Sequence, residues 1–128
     1  MDFMDIANTF IEHWFGTFDN AEQRSNLVSL YGPESMLVWE SAQKLGSEDI
    51  MATLTKPELS VVKTVVYTRD ATPAIAGGFL ITATGSLAVD NDFDKPMSFT
   101  STFLLQPIPD TDQGGYFVYS QIFRLVIG

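Results

Sequence analysis

Met36-Leu37-Val38-Trp39-Glu40 is a short apolar run that ends in an aromatic and an acid side by side. Neighbouring strand residues point to opposite faces of a sheet. Read as a strand, the run turns Trp39 toward a cavity and Glu40 outward, near the cavity's rim. A large aromatic beside an acid at a rim suits a partner that offers an apolar group and a cation together. The rest of the chain is then the scaffold that holds this pair open.

On the N-terminal side, Ile6, Phe10, Trp14 and Phe18 recur every four residues, with Phe3, Ala7 and Ile11 alongside. This spacing predicts an amphipathic helix of about four turns. Asp19-Asn20-Ala21-Glu22 reads as a capping box, with Asp19 answered by Glu22. A second helix follows, with Leu27, Leu30 and Tyr31 on one face, and Gly32-Pro33 stops it. The strand at 36–39 belongs to a hairpin that ends at Lys44-Leu45-Gly46. Ser47 caps a short third helix with Glu48 and Asp49 in its first turn. Ile50, Met51 and Leu54 form its buried side, and Lys56-Pro57 ends it.

Everything after that reads as β. Residues 59–69 are rich in Val and Thr. Residues 79–90 alternate, with Phe79, Ile81, Ala83, Leu87 and Val89 on one face and Leu80, Thr82, Thr84 and Ser86 on the other. Residues 97–106 place Met97, Phe99, Phe103 and Leu105 together, and residues 116–127 close the set. Loops are predicted at 70–78, 91–96 and 107–115. Helices come first and strands last, without β-α-β alternation, so the expected class is α+β, an antiparallel sheet over a helical layer.

Acidic residues number 16 against 7 basic ones, a formal charge of −9. Nucleic acid and anionic membrane surfaces both need a basic footprint, so neither is an expected partner; a basic protein surface is. With no cysteine, disulfides and thiolate zinc sites are excluded and a reducing compartment suits the chain. The acidic start 1–5 is not a targeting peptide, and the charge-free run 74–89 is too short to span a bilayer. Asp90, Asp92 and Asp94 alternate like the opening of a calcium loop, but Lys95 and Ser101 stand where Gly and Glu are required. That leaves a solvated acidic tip or a dock for a partner's cation. His13, the one histidine, is expected as a hydrogen-bonded imidazole at the core edge, with a His–carboxylate acid–base pair as the alternative. No metal or cofactor is expected. Phe3 stands at the start of the first helix, free to pack on a neighbour or anchor a partner.

Several stretches, taken in order, resemble the nuclear transport factor 2 family. They are Phe10 with His13, Phe18-Asp19-Asn20, Leu37-Val38-Trp39-Glu40 followed by Gly46, Gly85-Ser86-Leu87, the acidic tip at Asp90 and Asp92, Phe99, Phe103-Leu104-Leu105 and Ile122-Phe123-Arg124-Leu125. The resemblance covers about Phe3 to Leu125 and implies one domain over residues 1–128. Its implied shape is a curved antiparallel sheet and helices forming a cone around a hydrophobic cavity. It further implies a homodimeric nuclear import carrier, not an enzyme, concentrated at the nuclear pore and shared between cytoplasm and nucleus. Such a carrier binds the GTPase Ran in its GDP form and the Phe-Gly repeats of nucleoporins. By matching position, Trp39, Leu59, Val62, Met97, Ile122 and Phe123 would line or border the cavity that receives an aromatic of Ran. Glu40, Asp90 and Asp92 would meet basic residues beside it, and Phe3 would take the Phe-Gly repeats. The chain departs from the family pattern at Thr64 (often His), Gln121 (often an acid), Thr82 and Thr102 (where relatives can carry Met), and in longer loops after Asp92 and Pro107. Two other readings stand beside the carrier: an isomerase or dehydratase of the same cone fold, and a domain that only dimerises or docks another protein.

Overall fold

The structure, a computed structural model, describes residues 3–89, 94–108 and 115–126. Helix α1 (Phe3–Asp19) lies across the inner face of a six-stranded sheet. The strands are β1 (Tyr31–Trp39), β2 (Ala42–Leu45), β3 (Val62–Pro73), β4 (Phe79–Val89), β5 (Met97–Pro107) and β6 (Tyr116–Val126). Their order is β2-β1-β6-β5-β4-β3. Helix α2 (Ser47–Leu54) covers the β1 end.

The four-residue apolar spacing in α1 does what periodicity dictates: Ala7, Ile11, Trp14, Phe15 and Phe18 are buried. Their rings meet those of the sheet. Phe10 sits edge-on to Phe103 at 4.9 Å and Phe15 stacks on Phe99 at 5.4 Å. The alternation in β4 is also observed, with Ile81, Ala83 and Leu87 inward. Gly85 has a sharper duty. A Cβ there would stand 2.0 Å from the Val65 carbonyl oxygen, beside the irregularity at Val66/Thr68 in the β3–β4 ladder.

The predicted second helix is not an α-helix. A 3₁₀ segment, Arg24–Leu30, replaces it, and Tyr31 already opens β1 in an extended conformation. The reason is tertiary. The Tyr31 hydroxyl is buried, accepts a hydrogen bond from Trp14 Nε1 (3.0 Å) and donates to Gln121 Oε1 (2.5 Å). Burial pushes the phenol's pKa up, which keeps this donor protonated. Gly32-Pro33 therefore does not end a helix; it bulges within a strand. Five steps of β1 between Tyr31 and Met36 run against two of β6 between Val118 and Ser120. Ser35 bridges the bulge, accepting from Gly32 N (2.9 Å) and donating to the Val118 carbonyl (2.5 Å).

Other expectations change for similar reasons. β1 and β6 pair in parallel, so the sheet is mixed, with every other ladder antiparallel. Asp19 ends α1 instead of capping a second helix. Its carboxylate accepts from Thr64 N (3.0 Å) and Thr64 Oγ1 (2.8 Å), and burial raises its pKa against the pull of those bonds. Asn20 makes the local turn instead, accepting from Glu22 N at 3.1 Å. α2 starts from Gly46, at φ 88°, with no side-chain cap from Ser47. Leu59 belongs to a short 3₁₀ turn, Pro57–Leu59, and β3 runs on through Pro73, leaving a shorter connection to β4 than predicted.

Candidate functional site

β1 and β6 run in parallel register with Trp39 beside Phe123. Their rings stack face to face, 4.2 Å between centroids and 8° between planes. Phe99 stacks behind Phe123 at 5.4 Å, and Phe18 of α1 tilts onto Trp39 at 6.5 Å. Trp39 and Phe123, backed by the other two rings, form one wall of an open cleft of about 300 Å³. Leu59, Leu87, Val89, Met97 and Leu125 complete most of the lining, with Lys56 and Glu58 among its residues. Trp39 is 8% exposed, and Met97, at 37%, stands open to solvent.

Leu59 is fixed from behind by a residue that sequence reasoning missed. Arg24 is only 3% exposed, its Nε donates to the Phe18 carbonyl at 2.7 Å, and its Nη1 donates to the Leu59 carbonyl. The guanidinium carbon lies 4.8 Å from the Phe18 ring centroid. Burial lowers the Arg24 pKa, and the charge of Asp19 opposes that shift. A lone arginine in a polar stretch carries no signal of this duty; only the folded chain brings Phe18 and Leu59 to it.

Glu40 is at the rim, as expected, but not through strand alternation. The strand ends at Trp39, which pairs with Ala42 across a two-residue turn. Both turn residues, Glu40 and Ser41, have positive φ (51° and 75°). Such turns favour Asn-Gly, and a residue with a Cβ costs about 1–2 kcal/mol there. Contacts to β6 hold the turn: Glu40 N donates to the Phe123 carbonyl (3.1 Å), Leu125 N donates to Glu40 Oε1, and Arg124 Nη1 donates to Ser41 Oγ (2.5 Å). The acid is thus seated against Leu125, a residue of the apolar cleft.

The structure brings Trp39, Leu59, Met97 and Phe123 together in the cleft lining, and Glu40 stands outside it, joined to it through Leu125. Val62 is buried and pairs with Val89, so it borders the cleft from within the sheet. Ile122 does not join them. It is 52% exposed on the outer sheet face, because the neighbour of an inward Phe123 must point outward. Asp90 and Asp92 lie outside the described residues. Phe3 is half-buried at the far end of α1, about 22 Å along the helix axis from Phe18. His13 is exposed instead of sitting at the core edge, beside a separate cleft that includes Phe10, Leu105 and Tyr116. Among the described residues no cluster of three or more His, Cys, Asp or Glu could hold a metal ion.

The curved, unclosed sheet with helices over its concave side defines a class, the α+β cone proteins. Residues 6–125 match the Nuclear transport factor 2 (NTF2) domain. The chain is 38% identical over 127 residues to Nuclear transport factor 2 of Neurospora crassa, covering 99% of this chain and 98% of that one. It is 36% identical over 126 residues to Nuclear transport factor 2 of Saccharomyces cerevisiae, covering 98% and 95%. A solved structure of nuclear transport factor 2 from Cryptosporidium parvum, 30% identical, superposes with a TM-score of 0.86 over 97% of this chain and 94% of that chain. The chain belongs to the nuclear transport factor 2 family.

Proposed function

We propose that this protein is a nuclear import carrier, without catalysis, that binds GDP-bound Ran at the Trp39 cleft. The observation that carries this reading is an open aromatic-walled cleft with an acid locked at its edge. Trp39 and Phe123 offer flat apolar surface, and Leu59, Met97 and Leu125 surround it. Glu40 stands where a cation flanking an inserted aromatic would meet it, and the family resemblance assigns Asp90 and Asp92 the same role. A buried aromatic anchor ringed by polar contacts has the form of an interface hot spot. The charge of −9 speeds encounter with a basic surface. A pull-down with Ran loaded with GDP or GTP tests the reading. Retention of the GDP form alone is the expected result, and retention of neither removes the carrier.

Crossing a pore needs weak, repeated contacts, which Phe-Gly repeats supply. In this reading Phe3 takes those repeats, and the protein shuttles between cytoplasm and nucleus with a concentration at the pore. Phe3→Ala is expected to weaken retention on immobilised Phe-Gly repeats and to leave Ran-GDP binding within about twofold, because α1 separates the two sites. Loss of both together in a folded variant means that one site is misplaced.

The outer sheet face is the proposed homodimer surface. Leu80 pairs with Leu104, Thr82 with Thr102, and Thr102 with Ile122, in rows across β4, β5 and β6. Val65, Tyr67, Leu80, Tyr119 and Ile122 are exposed there, an apolar share that favours being covered. Two-fold pairing of this face is the simplest closed arrangement. Sedimentation is expected to report a dimer at micromolar concentration; a monomer there contradicts it.

A further inference from the structure

Trp39 has two ring faces, and Phe123 holds one of them at 4.2 Å, with 8° between the planes. An aromatic stacked that closely leaves no room for a second group on the same side. The Lys56 ammonium lies over the Trp39 ring, 5.8 Å from its centroid, so it takes the other face. That distance is within cation–π reach. The ring face that a partner's aromatic needs is therefore already held, by a cation of the chain itself. The 8% exposure of Trp39 agrees with a ring shielded on both sides.

Lys56 reaches this place from the position before Pro57, where its backbone is extended (φ −66°, ψ 154°) just past α2. It is half-buried and joins no ion pair among the described residues. A second cleft, of about 470 Å³, adjoins the first and is lined in part by Ala42, Asp49 and Thr53. Trp39 and Lys56 are the two residues that line both clefts. The lysine side chain thus stands as a partition between them. Lysine suits a partition that must move, because its four-carbon stem is flexible and an exposed cation–π contact is weak. Turning the side chain into the second cleft frees the ring without any change of backbone.

We infer that Lys56 is a specificity residue of the Trp39 site: it closes the open ring face to cations and yields it to an aromatic. Without it, a flat tryptophan face on a chain of charge −9 attracts the lysine or arginine of any basic segment. An incoming cation gains nothing from the exchange, because it replaces one cation–π contact by another and meets the displaced ammonium nearby. A neutral ring gains burial against Trp39 and meets no such repulsion. The role in choosing a partner rests on the carrier reading; the covering of the ring does not.

Quenching of tryptophan fluorescence in the free protein tests the covering. Trp14 is fully buried, so Trp39 supplies the accessible signal. Caesium ion and neutral acrylamide are the probes, applied to the wild type, Lys56→Ala, Lys56→Met and Lys44→Ala, with melting temperatures confirming that each is folded. Of the two clefts Lys44 lines only the second, and it carries the same charge, so its loss measures the general field. Lys56→Ala is expected to raise quenching by both probes about two- to fivefold, the factor that an exposed cation–π contact is worth. Lys56→Met keeps an apolar stem over the ring and is expected to raise caesium quenching alone. Equal caesium quenching in Lys44→Ala and Lys56→Ala overturns the inference, because charge at a distance then explains it. Binding tests the choice of partner. Lys56→Ala is expected to hold a lysine-rich peptide without aromatics more tightly than Lys44→Ala does, and to bind Ran-GDP no more weakly than the wild type. Weaker Ran-GDP binding by folded Lys56→Ala overturns the inference too, since Lys56 then holds the partner instead of yielding to it. A wild type that does not bind Ran-GDP removes the carrier reading and leaves the quenching to judge the covering.

Discussion

Glu40→Lys is expected to abolish detectable binding of GDP-bound Ran while the fold survives. An exposed ion pair is worth only about 0.2–1 kcal/mol. Contact with a partner excludes water, and removing one side of a desolvated charge pair then costs about 2–5 kcal/mol. A lysine adds repulsion to that loss, and Lys56 already lines the same cleft as residue 40. The cost to the free protein is smaller. The Glu40 carboxylate accepts from Leu125 N on the exposed surface, and losing that bond costs about 0.5–1.5 kcal/mol. The turn's positive φ is no easier for glutamate than for lysine, and the Glu40 amide keeps its bond to the Phe123 carbonyl. Titration calorimetry with Ran-GDP and a thermal melt check both halves. Normal binding by the variant makes the acid a bystander and takes from the carrier reading its central residue. Glu40→Gln is a useful companion, because an amide oxygen still accepts from Leu125 while the charge is gone.

Trp39→Ala is expected to have the larger effect on stability and a comparable effect on binding. The ring stacks on Phe123 at 4.2 Å, touches Phe18 and walls two clefts at once. Truncating a packed tryptophan costs about 3–5 kcal/mol, from lost burial and the cavity left behind. This site already opens on two sides, so water can fill part of the space, which places the cost toward the lower end of that range. Phe123 would lose the surface that orients it, and with it the flat wall offered to a partner's aromatic. Urea unfolding at 25 °C and Ran-GDP binding on the same preparation give the two numbers. A Trp39→Ala variant that binds with undiminished affinity shows that the partner does not use this cleft. The two substitutions together separate the roles: one residue holds charge on a turn, the other holds shape in the core.

How much of this was legible without the fold follows from which signals are local. The α1 helix, the alternation of β4 and β5, the α+β class and the pairing of an aromatic with an acid at residues 39 and 40 were all readable. Each rests on spacing within one segment, and burial of a regular face follows from that spacing. The family resemblance supplied the likeness of a cleft and the residues around it, because motif order along a chain is itself one-dimensional.

What the sequence could not decide depended on contacts between distant segments. Tyr31 reads as the end of a helix until Trp14 and Gln121, 17 and 90 residues away, claim its hydroxyl and draw it into a strand. Asp19 reads as a cap until Thr64 takes both its oxygens. Ile122 is a cavity residue by its position in the family pattern, and the direction of the β6 pleat sends it to the outer face. Glu40 reaches the rim through a strained two-residue turn stapled to β6, a geometry that no Gly or Asn announces. Arg24 had no periodicity to betray it. Local propensities are worth tenths of a kcal/mol to about 1 kcal/mol per residue, and a buried hydroxyl or guanidinium left unpaired costs more than that. Composition and spacing therefore determined the class and most of the elements of this protein, and tertiary hydrogen bonding decided where its buried polar residues sit and which of them hold the cleft.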